Sequence, residues 1–250
     1  MEGPGSTTTA PSITTTGTKS MSVFVWSPSE SGQGSHVPTH IKVAFGFMIG
    51  AFLFIIIAFS TPAWLETDGE MIDPKSKFLK IGLWEGCFDD LPDANHNYDI
   101  RITGCWYLLS EELYHLNDLI FKPFFVAVQF FFTMCFIFLL ISIVLVPMYI
   151  LCFGPDHDYF IMLVRLIGIV LLASAFLGSI AVIVFGAMGD SRAWMPDWQN
   201  NYLSWSFAFA VIGVFGEYVA GILFLVEARI QGKQRKMRES HSAYTMETKA

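Results

Sequence analysis

Two cysteines in polar surroundings and two charged residues in apolar ones are the side chains of this sequence best placed to do chemistry. Cys87 and Cys105 each lie in a stretch of strand-like composition, FLKIGLWEGCF over 78–88 and YDIRITGCW over 98–106. In the second stretch Tyr98, Ile100, Ile102 and Trp106 alternate with Asp99, Arg101 and Thr103, the pattern of a half-buried strand. The connecting DDLPDANHN is a cluster of turn formers. Two strands around one turn would bring Cys87 and Cys105 together. A disulfide closing a loop of this size contributes about 3 kcal/mol in the chain-entropy account. A metal site is the rival chemistry, but no histidine pair with ligand spacing accompanies the cysteines, and His96 stands alone in the turn. Gly82 and Gly86, which bracket Leu83, Trp84 and Glu85, permit either a close backbone approach or a bulge.

Arg165 and Glu217 interrupt long apolar runs, and charge is costly in such surroundings. Counted from the ends of their runs, their depths differ by roughly 6 Å. Long side chains span that gap, so an Arg165–Glu217 ion pair is expected to hold two helices in register. The alternative, an ion or proton path, needs more polar partners than the runs supply. Cys135, mid-run, reads as a small packing residue. Cys152, near the end of its run, holds a position where S-palmitoylation occurs, or is an unmodified thiol. No His-Glu-x-x-His, Gly-x-Ser-x-Gly or phosphate loop is present, and the six histidines are scattered. An enzyme is therefore not expected, and no catalytic residue, cofactor or metal ligand is assigned.

The elements that must position these residues follow from composition. Of 250 residues 53% are hydrophobic and only 15% charged, against about 25% charged in soluble domains. Mean hydropathy is +0.50. This is the composition of an integral membrane protein. An isoelectric point near 5.3 gives no support for nucleic-acid binding. Four runs reach the roughly 20 apolar residues that a membrane-spanning helix needs. The spans are placed at 41–60, 123–153, 160–189 and 202–227. No short basic segment followed by an apolar stretch opens the chain, so no signal peptide is expected.

The segment 228–250 carries Arg229, Lys233, Arg235, Lys236, Arg238 and Lys249 against Glu239 and Glu247. The positive-inside rule makes it cytoplasmic. Lys233, Arg235, Lys236 and Arg238 can also meet anionic inner-leaflet lipid, worth about 1 kcal/mol for each basic residue near the surface. Four spans then put residues 1–40, rich in Ser, Thr, Gly and Pro, inside as a disordered tail. Residues 61–122 form a large outer loop with twelve acidic against five basic residues. Within it Ser110 to Leu119 reads as a short helix capped by Ser110, with Leu113, Leu116 and Ile120 on one face. That face lies on the sheet or at the lipid surface. Residues 154–159 are a short inner turn and 190–201 a second outer loop, whose Trp194, Met195 and Trp198 read as interfacial anchors or a contact surface.

Four spans, a large first outer loop and the order Trp64, Gly82-Leu83-Trp84, Cys87, Cys105 together resemble the claudin family, within the claudin/PMP22/EMP superfamily. The STPAW at the end of the first span and the 110–119 helix add to the likeness, which covers roughly 41–230. The resemblance implies a membrane all-α fold: a left-handed four-helix transmembrane bundle topped by a small extracellular antiparallel sheet. Most strands would come from the first outer loop and one from the second. Trp64, Gly82, Leu83 and Trp84 would anchor the sheet to the helix tops, and Cys87 and Cys105 would tie neighbouring strands. It also implies self-association side by side in one membrane and head to head between cells, with other junction proteins as partners. The expected function is to build or organise septate- or tight-type junctions and the paracellular barrier, at lateral cell contacts of the plasma membrane. An acidic loop lining a pore would favour cations. The alternative function is an auxiliary or trafficking subunit of a channel, since PMP22-like and channel γ-subunit proteins share the motif.

Three features depart from vertebrate claudins. Seventeen residues separate the cysteines, which lengthens the hairpin, and a 40-residue tail precedes the first span. The chain ends Glu247-Thr248-Lys249-Ala250, where vertebrate claudins commonly end in Tyr-Val and dock in PDZ grooves. Thr248 suits such a groove and Ala250 is a weak anchor. These features are most like divergent invertebrate claudins of septate junctions.

Overall fold

A computed structural model describes residues 39–68, 78–92, 101–152, 158–192, 194–195 and 198–248. The tail up to residue 38, most of the turn around His96 and the terminal Lys249 and Ala250 lie outside the described residues. Four long helices carry the fold: α1 (Thr39–Ser60), α3 (Pro123–Cys152), α4 (Asp158–Met188) and α5 (Trp205–Glu247). All four contain stretches long and apolar enough to cross a membrane. Five short strands form one antiparallel sheet: β1 (Leu65–Thr67), β2 (Phe78–Ile81), β3 (Glu85–Pro92), β4 (Arg101–Tyr107) and β5 (Asn201–Leu203), in the order β4-β3-β2-β1-β5.

Within the apolar stretches the helices are apolar on every side, as residues facing lipid and residues facing protein both must be. What marks the inner face is spacing. On α1 the buried residues are Ile41, Ala44, Met48, Ala51, Ile55 and Ala58, and on α3 they include Phe125, Val128, Phe132, Cys135, Leu139, Ser142 and Val146. Their alternating steps of three and four keep one seam against a neighbour. Side chains off that seam, such as Ile49, Leu53, Phe176, Ile183 and Phe215, point away from the bundle. Between α4 and α5 the approach is close enough to require glycine. A Cβ at Gly221 would stand 2.9 Å from Leu172 Cδ2 and 3.2 Å from the carbonyl oxygen of Gly168. Without a solvent-driven hydrophobic term between helices, such van der Waals contact is what association relies on.

Helix α5 continues beyond its apolar part without a break to Glu247, through the basic segment. Its 43 residues span about 65 Å, roughly twice a bilayer core. An internal Arg235–Glu239 hydrogen bond of 2.9 Å, at the helical i,i+4 spacing, supports the extension.

The sheet grows out of the helix pair beneath it. Strand β1 follows α1 almost directly and β5 directly precedes α5, and the two strands pair, with Leu65 opposite Leu203 and Thr67 opposite Asn201. The two helices also meet at this end, where the Thr61 and Ser206 hydroxyls lie 2.8 Å apart and the Ser206 amide donates to Ala63 O at 3.1 Å. The run 78–88 is not one strand. It is the hairpin of β2 and β3, turned at Gly82-Leu83-Trp84 and closed by the Gly82 amide donating to Glu85 O at 2.8 Å. A register shift between Phe88 and Leu91, with Asp90 at φ 61°, bends β3 against β4.

The segment after β4 differs from the expected capped helix. Glu111–Leu116 is a 3₁₀ turn that runs into a single α-helical turn, α2 (Asn117–Ile120), and Ser110 makes no capping bond. Leu113, Leu116 and Ile120 are fully or almost fully buried in the continuous hydrophobic core. Their burial, rather than a cap, holds the segment.

Gly221→Leu should wedge α4 from α5. It should cost about 1–3 kcal/mol, read as a lower unfolding midpoint of the purified protein in detergent; an unchanged midpoint would refute the close packing.

Candidate functional site

The distinctive site is the joint between sheet and bundle, and Trp64 is its centre. Trp64 sits in the short connection between α1 and β1 and is completely buried. Its indole donates to the carbonyl oxygen of Ala58 at 2.7 Å, in the last turn of α1, where helical carbonyls lack intrahelical partners. Its ring meets Phe132 of α3 at 5.1 Å, Phe185 of α4 at 4.9 Å and Phe207 of α5 at 5.7 Å, all edge-on. Its backbone belongs to the sheet. The Trp64 amide donates to Ile81 O and its carbonyl accepts from the Ser204 amide, both at 3.0 Å. One residue therefore touches all four long helices and the strand segments on either side.

Gly82-Leu83-Trp84 is the second part of the joint. A Cβ at Gly82 would collide with Thr61 O and stand 2.6 Å from Pro62 Cα, so close backbone approach explains the glycine. The register shifts of the sheet lie elsewhere. Leu83 is fully buried, and its carbonyl accepts from Gln129 Nε2 of α3 at 2.6 Å. Trp84 packs its ring 5.5 Å from Phe59 of α1, which stacks in turn on Phe136 of α3 at 4.7 Å.

Cys87 and Cys105 stand opposite each other in β3 and β4 and form a disulfide. Glu85 lies beside them, but each sulfur is committed to the other, leaving no thiolate to bind a metal.

Trp194 is a third anchor that sequence reasoning misread. It is not exposed on its loop, but 3% accessible. Its indole donates to Ile120 O at 3.1 Å, and its ring lies 5.1 Å from both Phe124 and Phe125. Nothing in its loop's composition signals this, because its partners are remote in sequence. Met195 beside it is equally buried, while Trp198 lies under the Arg192 guanidinium at 4.5 Å.

Above the joint the sheet offers a polar and aromatic surface. Tyr107, Leu109 and Tyr114 are exposed around the β4 end. At the opposite edge Glu66 accepts from Ser204 Oγ at 2.6 Å and from the Tyr202 hydroxyl at 3.2 Å. That hydrogen-bonded carboxylate raises the Tyr202 phenol above its ordinary pKa.

The expected Arg165–Glu217 ion pair does not form. Glu217 is completely buried and meets Ser174 Oγ of α4 at 2.9 Å, whereas Arg165 is exposed. The end of an apolar run is no measure of depth on α5, because the helix continues past it. Its alignment is set by Gly168 against Gly221 and Ser174 against Glu217. Arg165 is nine residues, about 13 Å, along α4 from Ser174. Cys135 is likewise more than packing, since its thiol donates to Glu217 Oε2 at 3.6 Å. Lys233, Lys236 and Arg238 are exposed on α5 and Arg235 is half-buried. The backbone of Cys152 ends α3, and its side chain lies outside the described residues.

A family model described as PMP-22/EMP/MP20/Claudin tight junction matches residues 49–226, which contain the joint, the disulfide and most of the bundle. No curated protein matches the chain.

Trp64→Ala should cost about 3–5 kcal/mol, the range for emptying a large buried aromatic site. Replacing both Cys87 and Cys105 by Ser should cost about 3 kcal/mol through the unfolded chain. Unfolding in detergent checks both: reduction should lower the midpoint of the Trp64→Ala protein and leave that of the double Ser variant unchanged.

Proposed function

The chain belongs to the PMP-22/EMP/MP20/Claudin family, and from that premise we propose that it builds or organises cell–cell junctions of the septate or tight type and the paracellular barrier. The observation that carries this reading is the stapled sheet held rigidly on one end of the bundle by Trp64, Leu83 and Trp84. A barrier protein needs a surface that keeps its shape while meeting another cell, and a cross-linked sheet seated on helices has that property.

In this proposal the sheet faces outward and both termini are cytoplasmic, with the basic end of α5 setting the orientation. The family suggests oligomerisation and contact with junction proteins. The exposed Tyr107, Leu109 and Tyr114 suit such contacts in kind, as aromatic residues are enriched where protein surfaces meet. Self-association then proceeds in cis within one membrane and in trans between two. Lys233, Lys236 and Arg238, together with Arg235, are placed to meet anionic headgroups where α5 leaves the bilayer. Cys152 at the end of α3 would lie near the same leaflet, within reach of S-palmitoylation. The long separation of Cys87 from Cys105 favours the septate-junction branch.

Depleting the protein from an expressing polarised epithelium should increase tracer leakage between cells, and the tagged protein should concentrate at lateral contacts. Unchanged tracer exclusion, diffuse membrane staining and co-purification with one channel would favour an auxiliary subunit instead. In an epithelium where the protein borders the paracellular path, the twelve acids of 61–122 should make dilution potentials cation-selective. Neutralising Asp89 and Asp90 should weaken that selectivity; an unchanged potential would place these acids away from the path.

A further inference from the structure

The polar cluster between α3, α4 and α5 has a hydrogen count that fixes its chemistry. Ser174 Oγ lies 2.7 Å from the main-chain oxygen of Cys135 and 2.9 Å from Glu217 Oε1. The Cys135 thiol donates to the other carboxyl oxygen, Oε2, at 3.6 Å. A hydroxyl owns one hydrogen, and a carbonyl oxygen only accepts. The 2.7 Å contact requires the Ser174 hydrogen, because two oxygens so close without one repel. The 2.9 Å contact must then take its hydrogen from Glu217.

We propose that Glu217 is carried in the folded bundle as a neutral carboxylic acid that locks three helices together through a closed ring of hydrogen bonds. The Glu217 hydroxyl donates to Ser174 Oγ, the Ser174 hydroxyl donates to Cys135 O, and the Cys135 thiol donates to the Glu217 carbonyl oxygen. Three hydrogens serve three acceptors, one on each helix, and none is left over.

The ionised alternative fails on two counts. It leaves one of the two short Ser174 oxygen contacts, to Cys135 O or to Glu217 Oε1, without a hydrogen. It also buries a full charge, since among the described residues no cation stands within ion-pair distance of Glu217, and Arg165 is turned outward. An unpaired buried charge is far costlier than a satisfied neutral group. Ser174 and Glu217 are both 0% accessible, so no water competes for the ring. A carboxylic acid in this role acts as a register lock. It fits one alignment of the helices, because a slip of one residue removes all three partners at once.

The neutral acid has a close chemical mimic. Glutamine places an amide NH2 and a carbonyl where a carboxylic acid places its hydroxyl and carbonyl, with one N–H beyond what the ring uses. Glu217→Gln should therefore retain most of the unfolding midpoint in lipid nanodiscs, while Glu217→Ala and Ser174→Ala lower it. Infrared spectroscopy reads the proton directly. At neutral pH the wild-type protein should show a protonated-carboxyl stretch that Glu217→Gln removes, that Glu227→Gln does not, and that Ser174→Ala shifts to higher frequency. A carboxylate band in its place would overturn the proposal, as would a Glu217→Gln protein no more stable than Glu217→Ala. Should Glu217→Gln fail to fold, the wild-type band and its shift in Ser174→Ala decide alone, and a band unmoved by that change counts against the ring.

Discussion

The hydrogen bond from the Trp64 indole to the last turn of α1 is the constraint on which the rest of the structure depends. It fixes the angle at which the chain leaves the first span and enters β1. Because β1 lies between β2 and β5, that angle sets the seat of the whole sheet. The ring's three aromatic neighbours come from three different helices, so the same residue also sets how the tops of α3, α4 and α5 converge. A strand pair isolated in water is marginal. Here five short strands gain their stability from a core that is continuous with the bundle, with Phe78, Ile81, Phe88 and Ile102 buried in the same cluster as Phe132 and Phe185. The disulfide adds to this by constraining the unfolded chain, not by seating the sheet.

Below the joint the physics changes. Within apolar helices there is no hydrophobic gradient to tell inside from outside. Alignment must come from close contact and from the few polar groups present. The Gly168–Gly221 approach supplies the first, and the Glu217, Ser174 and Cys135 cluster the second. Both lie on the same two helices, α4 and α5, with α3 joined through Cys135. The bundle is thus aligned along its length by local devices and closed at one end by Trp64.

Much of this was legible in the sequence, and the exceptions have physical causes. The four spans follow from run length alone, because a bilayer demands it. The spacing of Trp64, Gly82-Leu83-Trp84 and the two cysteines resembled a known outer domain, and the five-stranded sheet and Cys87–Cys105 bond are present. Strand composition could not show that 78–88 folds back on itself, since Leu83 and Trp84 are as apolar in a turn as in a strand. Their burial comes from α1 and α3, which composition does not place. Trp194 was opaque for the same reason: its acceptor, Ile120, is 74 residues away. The partners of Glu217 are not legible in the sequence, because charge complementarity is only one way to satisfy a buried carboxyl group. A serine and a thiol, invisible to a search for opposite charges, did it instead.

Together these devices describe a membrane protein whose sheet is positioned by its bundle and shares one hydrophobic core with it. Residue-resolved hydrogen exchange on the Trp64→Ala protein in nanodiscs tests that claim most directly. The account predicts that amides of β1, β2 and β5 lose protection together with the sheet-proximal turns of α1 and α5, even with the disulfide intact. A sheet that keeps its native protection after loss of Trp64 would contradict it.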